Sequence, residues 1–240
     1  MSDPGLVNAL RSAGLFRELD TAWIERLAAY ASRRALSAGE HVWHQGDKAR
    51  AFVIIERGLV AIQRVSAEGE PVLVALFGDG DTLCVAPALE DIALPANAVA
   101  VSDAVNLLLV SAAPVLEAAR EHANVSAAVN HALLQHTSSL RSKIDIMSAG
   151  AVPKRIATLL LHLGERFGRR TGEGGIKIDR ALTREQIGQL VNARTETVIR
   201  IMSRWSKAGW IEGASGSLHI SRLDMLERIV QGPGSAGGDS

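Results

Sequence analysis

The sequence predicts an α+β protein, with a β-roll behind N-terminal helices, then a long helix, then two short helices and a hairpin. Three observations lead there. Between Ala38 and Val85 short β-branched runs are punctuated by Gly39, Gly46, Gly58, Gly69, Gly78 and Gly80, and turn signals at such spacing mark an all-β barrel or roll. From Pro114 to Ser148 the apolar positions take a helical period. From Leu182 to Ile211 two amphipathic patterns stand on either side of a short break at "VNAR".

Taken in chain order, Leu6 to Ala35 reads as helix. "DTAWIERLAAYASRRAL" puts Trp23, Leu27, Tyr30 and Ala31 near one face, with Arg26, Arg33 and Arg34 largely elsewhere. The roll strands follow, and "NAVAVSDAVNLLLVSAA" adds two more, ending near Ser111. Pro114 is suited to the first turn of the next helix. Within it Val129, Leu133, His136, Leu140 and Met147 alternate steps of four and three, with Lys143 at the remaining position. That spacing predicts a coiled-coil seam between two copies of the chain; the alternative is a helix packed on its own domain. "SAGAV" with Pro153 reads as a hinge, "KRIATLLLHLGERFG" as an amphipathic helix and "RRTGEGG" as a polar loop. "GWIEGASGSLHIS" reads as a hairpin turning at Ala214–Ser217, and the tail "QGPGSAGGDS" as disordered.

Composition narrows the function. The single cysteine, Cys84, excludes an intramolecular disulfide and any cysteine-only metal or cluster site. No segment reads as a signal peptide or a membrane span, so a cytoplasmic protein without a membrane partner is expected. The formal net charge is zero, but it is unevenly spread. Gly150–Gly232 carries 14 basic and 8 acidic residues, a net +6, and Met1–Ala149 carries 12 and 17, a net −5. Only the C-terminal part is suited to a polyanion.

The stretch at Leu182–Ile211 gives that polyanion a name. Thr183 to Gln186 fits a capping box, so a helix begins near Arg184. Ile187, Leu190 and Val191 form its apolar side, and Asn192 tolerates the left-handed conformation that ends it in a tight turn. The second helix begins near Arg194 or Thr195. On its wheel Val198, Ile201, Met202 and Trp205 fall between roughly 140° and 240° from Glu196, and Glu196, Arg200, Ser203, Arg204 and Lys207 fall between roughly 340° and 80°. One face packs on the first helix and the other is polar and largely cationic. This is the arrangement of a helix-turn-helix, whose second helix enters the major groove and reaches base edges with its first turns. Glu can accept from cytosine N4, and Arg can donate to guanine O6 and N7. The hairpin beyond it would be the wing of a winged helix. The competing reading of Glu196 and Arg200 is an exposed i,i+4 ion pair.

At these residues the chain resembles the CRP/FNR family of transcription regulators, from about Leu15 to Val230. Glu196, Thr197 and Arg200 match the E-T-x-x-R signature, and Gly39, Val42, Gly46, Asp47, Ile55 and Gly58 match the family's roll segment. The resemblance implies a homodimer with an N-terminal jelly roll like that of cyclic-nucleotide-binding domains (1–113), a long dimerisation helix and hinge (114–149), a winged helix-turn-helix (150–230) and a tail (231–240). It implies as partners a two-fold-symmetric DNA operator and RNA polymerase, with Thr183, Arg194, Thr195, Glu196, Thr197, Arg200, Arg204 and Lys207 facing DNA.

Departures bear on the effector. Cys84, Val85 and Ala86 replace the cyclic-AMP branch's G-E-L triplet, and Pro95 and Ala96 replace its Arg and Ser. No Arg lies between Arg64 and Arg120, so the cationic cradle of a cyclic phosphate is lacking and cyclic AMP is not expected. The oxygen-sensing branch's cysteines are absent too, which excludes an iron–sulfur cluster. The overall look is similar to the dissimilatory nitrate respiration regulators, which use haem, and Cys84, His131 and His136 are the candidate axial ligands. His41 and His44, three apart on a strand, should point to opposite faces and make poor co-ligands. Other readings stay open: a regulator with no ligand, a sensory or scaffold protein acting through a protein partner, and lastly an enzyme on a cupin-like roll. The last would need clustered metal ligands that the roll does not offer.

Overall fold

The computed structural model describes residues 3–66, 69–172, 174–214 and 216–232. The chain divides into two compact units, Met1–Arg64 with Ala75–Ser139, and Val65–Val74 with Leu140–Ser240. In chain order, helices α1 (Pro4–Ser12) and α2 (Thr21–Ala28) precede strands β1 (Ala31–Leu36), β2 (His41–Trp43), β3 (Ala51–Arg57), β4 (Val60–Val65), β5 (Pro71–Phe77, whose residues up to Val74 fall in the second unit) and β6 (Thr82–Leu83). Short helix α3 (Val85–Glu90), strands β7 (Asn97–Ala100) and β8 (Val105–Ser111) and helix α4 (Ala112–Glu121) follow. The strands form two sheets, ordered β1-β8-β3-β6 and β2-β7-β4-β5.

Strands β3 and β8 show why their sequences read as near-continuous apolar runs. Side chains alternate across a strand. Val53 and Ile55 of β3, with Val105 and Leu107 of β8, enter the core between the sheets beside Phe77, Leu83 and Ala98. Phe52 and Ile54, with Leu108 and Val110, enter a second core under Leu10, Phe16, Ile24 and Leu27 of the N-terminal segment and Val115 of α4. A strand buried on both faces needs apolar side chains at every position.

Two expectations fail here. Ala31–Leu36 is strand, not helix: α2 ends at Ala28, and β1 pairs antiparallel with β8 from Ala31↔Val110 to Leu36↔Val105. Ser32, Arg33, Arg34 and Ala35 are all exposed, so no period of two is visible in the sequence. The helix expected from Pro114 is two helices, α4 and α5 (Ala123–Ser148), broken at His122, whose φ of −122° and ψ of 111° are extended.

The coiled-coil row of α5 is also divided. Val129 is buried in the second core, and His136 lies on Phe77 at 4.7 Å between ring centroids with its Nε2 3.0 Å from Thr82 O. Lys143 Nζ donates to Leu73 O and Leu190 O. These three, seven residues apart, each have partners within the chain. Leu140 is 54% exposed, as are Leu134 at 66% and Ile144 at 65%.

The second unit continues with α6 (Val152–Phe167), β9 (Gly168–Arg170), β10 (Ile176–Ile178), α7 (Arg184–Val191), α8 (Thr195–Lys207), β11 (Ile211–Ala214), β12 (Ser217–Ile220) and α9 (Leu223–Gln231). Its sheet runs β11-β12-β10-β9. The "RRTGEGG" segment is therefore partly strand, since Arg169 and Arg170 pair with Lys177 and Ile176. The hairpin register Ala214↔Ser217 agrees with the expected turn; Ser215 within it, and 233–240 of the tail, lie outside the described residues.

Burial, and then Arg155, push Lys143 from its ordinary 10.5 down to about 8. The neutral amine can still donate to both carbonyls. The unfolded chain keeps the proton up to about 10.5 and the fold releases it near 8, so unfolding takes up a proton between those values. Stability of the C-terminal unit should rise as pH goes from about 8 to about 10.5, and chemical denaturation of Lys143→Met should lack that component. Parallel pH profiles for the two proteins would contradict this.

Candidate nucleic-acid interface and sensor site

The turn between α7 and α8 is built from local chemistry. Thr183 caps α7 as expected: its Oγ1 accepts from Gln186 N at 3.1 Å while its own N donates to Gln186 Oε1 at 2.9 Å. Asn192 ends the helix at φ 50°, ψ 62°, in the left-handed region. Gly188 lets the chain double back, since a Cβ there would lie 2.7 Å from Ala193 O. The last carbonyls of α7 meet cations that no local pattern announces. Arg155 Nη1 donates to Val191 O at 2.7 Å, and Lys143 reaches Leu190 O. Cations at a helix C-terminus oppose the partial negative charge of its free carbonyls.

Helix α8 divides as its wheel predicts. Val198, Met202 and Trp205 are buried and Ile201 is half-buried. Burial lowers the pKa of Arg184, whose Nη1 lies 3.0 Å from Met202 Sδ. Glu196, Arg200, Ser203, Arg204 and Lys207 are exposed, Arg194 is the exposed N-cap residue, and Thr195 and Thr197 are half-buried. Among the described residues, Glu196 and Arg200 form no ion pair with each other or with any other group. The i,i+4 pair is not made, and both side chains stay available to a ligand. Arg200 and Arg204 also line a groove of about 600 Å³ with Val152, Pro153, Thr197 and Ile201. The antiparallel β11–β12 hairpin supplies the wing.

A model of the Crp-like helix-turn-helix domain matches residues 154–229, and one of the cyclic nucleotide-binding domain matches residues 33–122. The chain belongs to the CRP/FNR family of transcription regulators. It is 25% identical over 219 residues to the CRP-like cAMP-activated global transcriptional regulator of Mycobacterium tuberculosis, across 91% of this chain and 97% of that one. It is 33% identical over 82 residues to the transcriptional activator protein Anr of Pseudomonas aeruginosa, 34% of this chain and 32% of Anr. The structure of FixK2 from Bradyrhizobium japonicum superposes with a TM-score of 0.71 at 17% identity, covering 83% of this chain and 96% of FixK2, which shows a shared fold. A CRP-family regulator from Thermus thermophilus gives 0.66 at 21%, covering 85% and 100%. As a CRP/FNR regulator the chain is a DNA-binding protein and not an enzyme. Among the described residues no helix is long and apolar enough to cross a membrane.

The residues named for an effector are partly consumed by packing. Cys84 lies in the inter-sheet core, and burial pushes its thiol up to about 12. Val85 is fully buried in the core beneath the N-terminal helices. Ala86 and Pro95 are exposed, while Ala96 is buried with its carbonyl accepting from Trp43 Nε1 at 2.9 Å. His131 is exposed on α5, its Nε2 3.4 Å from Gln135 Nε2. His41 and His44 depart from expectation. A register shift in β2 between His41 and Trp43 accompanies rings stacked at 4.2 Å, so the two do not point apart. Among the described residues no group of three or more His, Cys, Asp or Glu is arranged to hold a metal ion.

Gly188→Ala should destabilise the C-terminal unit by about 1–3 kcal/mol, because the Ala193 carbonyl has to move and that carbonyl is backbone. Thermal denaturation unchanged from wild type would show that the turn relaxes freely.

Proposed function

We propose that the protein is a homodimeric regulator that reads a two-fold-symmetric operator with α8 and answers an effector other than cyclic AMP. The observation carrying the DNA reading is the exposed row Glu196, Arg200, Arg204 and Lys207, unpaired on the helix that follows the tight turn. Glu196 and Arg200 contact bases, Arg194, Thr195 and Thr197 position the helix, and Arg204 and Lys207 meet phosphate. Thr183 holds the start of α7 at the backbone. RNA polymerase is the partner expected of a regulator bound beside a promoter. Arg200→Ala should cost about 1–3 kcal/mol per half-site and relax one base preference, while Lys207→Ala should weaken all sequences alike. Half-sites about 34–36 Å apart are expected. Selection from random duplexes that returned no symmetric sequence, or binding without salt dependence, would leave the protein-partner reading instead.

Dimerisation is supported by the outer row of α5. Leu140 and Ile144, one turn apart, expose large apolar side chains that a single chain leaves in water. The seam therefore lies on this side of the helix, rotated from Val129, His136 and Lys143. Light scattering should give about twice the 25.5 kDa of one chain, and Leu140→Asp with Ile144→Asp should give one chain. An unchanged mass in that variant would place the interface elsewhere.

The effector argument is electrostatic. A buried cyclic phosphate left without a partner costs several kcal/mol. From Val65 to Ala119 the chain has no Lys, Arg or His, and the positions around α3 are Cys84, Val85, Ala86, Pro95 and Ala96. An apolar or uncharged effector suits them. Haem fits poorly with the residues as they stand: the Cys84 thiol is packed in the core between the sheets, and His136 already engages Thr82 O. Calorimetry should show no micromolar binding of cyclic AMP or cyclic GMP. A haem titration that shifts the Soret band in wild type and not in Cys84→Ala would restore the haem reading.

A further inference from the structure

One exposed apolar side chain borders the polar face of α8. Ile199 lies in the second turn and is 47% exposed, and its neighbours on that side, Glu196 and Ser203, are exposed as well. In the same two turns Val198 and Met202 are fully buried, so the packing of this helix is already supplied by other positions. Propensity does not account for Ile199 either, because isoleucine is a weaker helix former than leucine, lysine or glutamate. Its surroundings do suggest a use. It stands one turn after Glu196 and next to Arg200, at the edge of a face whose exposed cations suit it to DNA and not to another apolar protein surface.

We propose that Ile199 is a specificity-determining residue that packs on the C5-methyl group of a thymine, so that one thymine in each half-site is read by its methyl. The proposal rests on the reading of α8 as the major-groove helix. Isoleucine has neither donor nor acceptor, so it cannot read a base edge by hydrogen bonding. On the major-groove edges of the four bases the only apolar group is the thymine methyl. A β-branched side chain in a helix is held largely to one χ1 rotamer, so Ile199 loses little conformational freedom when it closes on that methyl. The contact takes one methyl and part of the isoleucine out of water. It adds no charge and releases no counterion.

The test alters the DNA, so the fold of the protein is not at risk. An operator is first selected from random duplexes, and its thymines are then replaced one at a time by deoxyuridine, which removes only the methyl. At one thymine per half-site affinity should fall about fourfold, and roughly fifteenfold when both half-sites are changed. The dependence on salt should stay as it was. Ile199→Ser, an exposed substitution, should bind the thymine and uracil operators alike, closing a cycle that isolates the pair. If uracil is tolerated at every position, or if Ile199→Ser keeps the full response to the methyl, the inference fails while DNA reading by α8 stands. If no duplex is bound in a salt-dependent way, the underlying reading fails and takes this one with it.

Discussion

The close approach of Gly188 to the Ala193 carbonyl determines what the C-terminal unit presents to its surroundings. With Asn192 in the left-handed region, it turns the chain within a few residues and aims the Val198, Met202 and Trp205 stripe of α8 at the unit's own core. Because those three face inward, Glu196, Arg200, Ser203 and Lys207 must face outward. A shift of a residue or two at the turn would rotate each of these by about 100° or more. Arg155 and Lys143 act at the same place by holding the final carbonyls of α7. The position of the turn thus rests on steric fit and on two cations, and the chemistry of the outer face follows from it.

The N-terminal unit is governed by a different constraint. Strands β3 and β8 are buried on both sides, so two cores share them. Their apolar content goes into packing, and two of the residues expected to line the effector site do too. Cys84 and Val85 illustrate this. They stand where the resemblance placed ligand contacts, yet one belongs to each core. The long stretch without a cationic side chain then matters in two ways. It underlies the proposal that the effector is not a cyclic phosphate, and it lets both cores close without any buried positive charge to satisfy.

What the sequence made legible was local. The capping box at Thr183 and Gln186, the left-handed Asn192 and the two-sided wheel of α8 each depend on residues within a turn or two of one another, and each is found in the structure. What it hid was long-range. Strand β1 is defined by pairing with β8, 69 to 79 positions away, and its exposed Ser32, Arg33 and Arg34 carry no strand period. The apolar row of α5 was legible, but not which of its members pack inside the chain. Val129, His136 and Lys143 have partners on other elements, and a heptad count cannot see partners. The stacking of His41 on His44 accompanies a register irregularity in β2, and His44 lies just past that strand, where a rule of alternation does not apply. In the candidate interface the charged residues were visible from type and spacing, whereas Arg155, Gly188 and Ile199 needed the fold. A cation on a distant carbonyl, a close backbone approach and an unexplained exposure have no sequence pattern.

A chain of zero net charge that binds a polyanion has to separate its charges, and this one places a net +6 in Gly150–Gly232 against −5 before it. Attraction to the phosphates then orients the molecule as well as holding it, since the acidic part is repelled from the same duplex. That attraction carries no sequence information. Discrimination has to come from short-range contacts that fail when the base is wrong. A buried polar group without its partner is penalised heavily, and exposed charged side chains such as Glu196 and Arg200 are of the kind that can impose that penalty. An apolar residue imposes a smaller one, the loss of a methyl contact. Its effect is to grade the remaining sequences, because it separates thymine from the other bases without making any of them untenable.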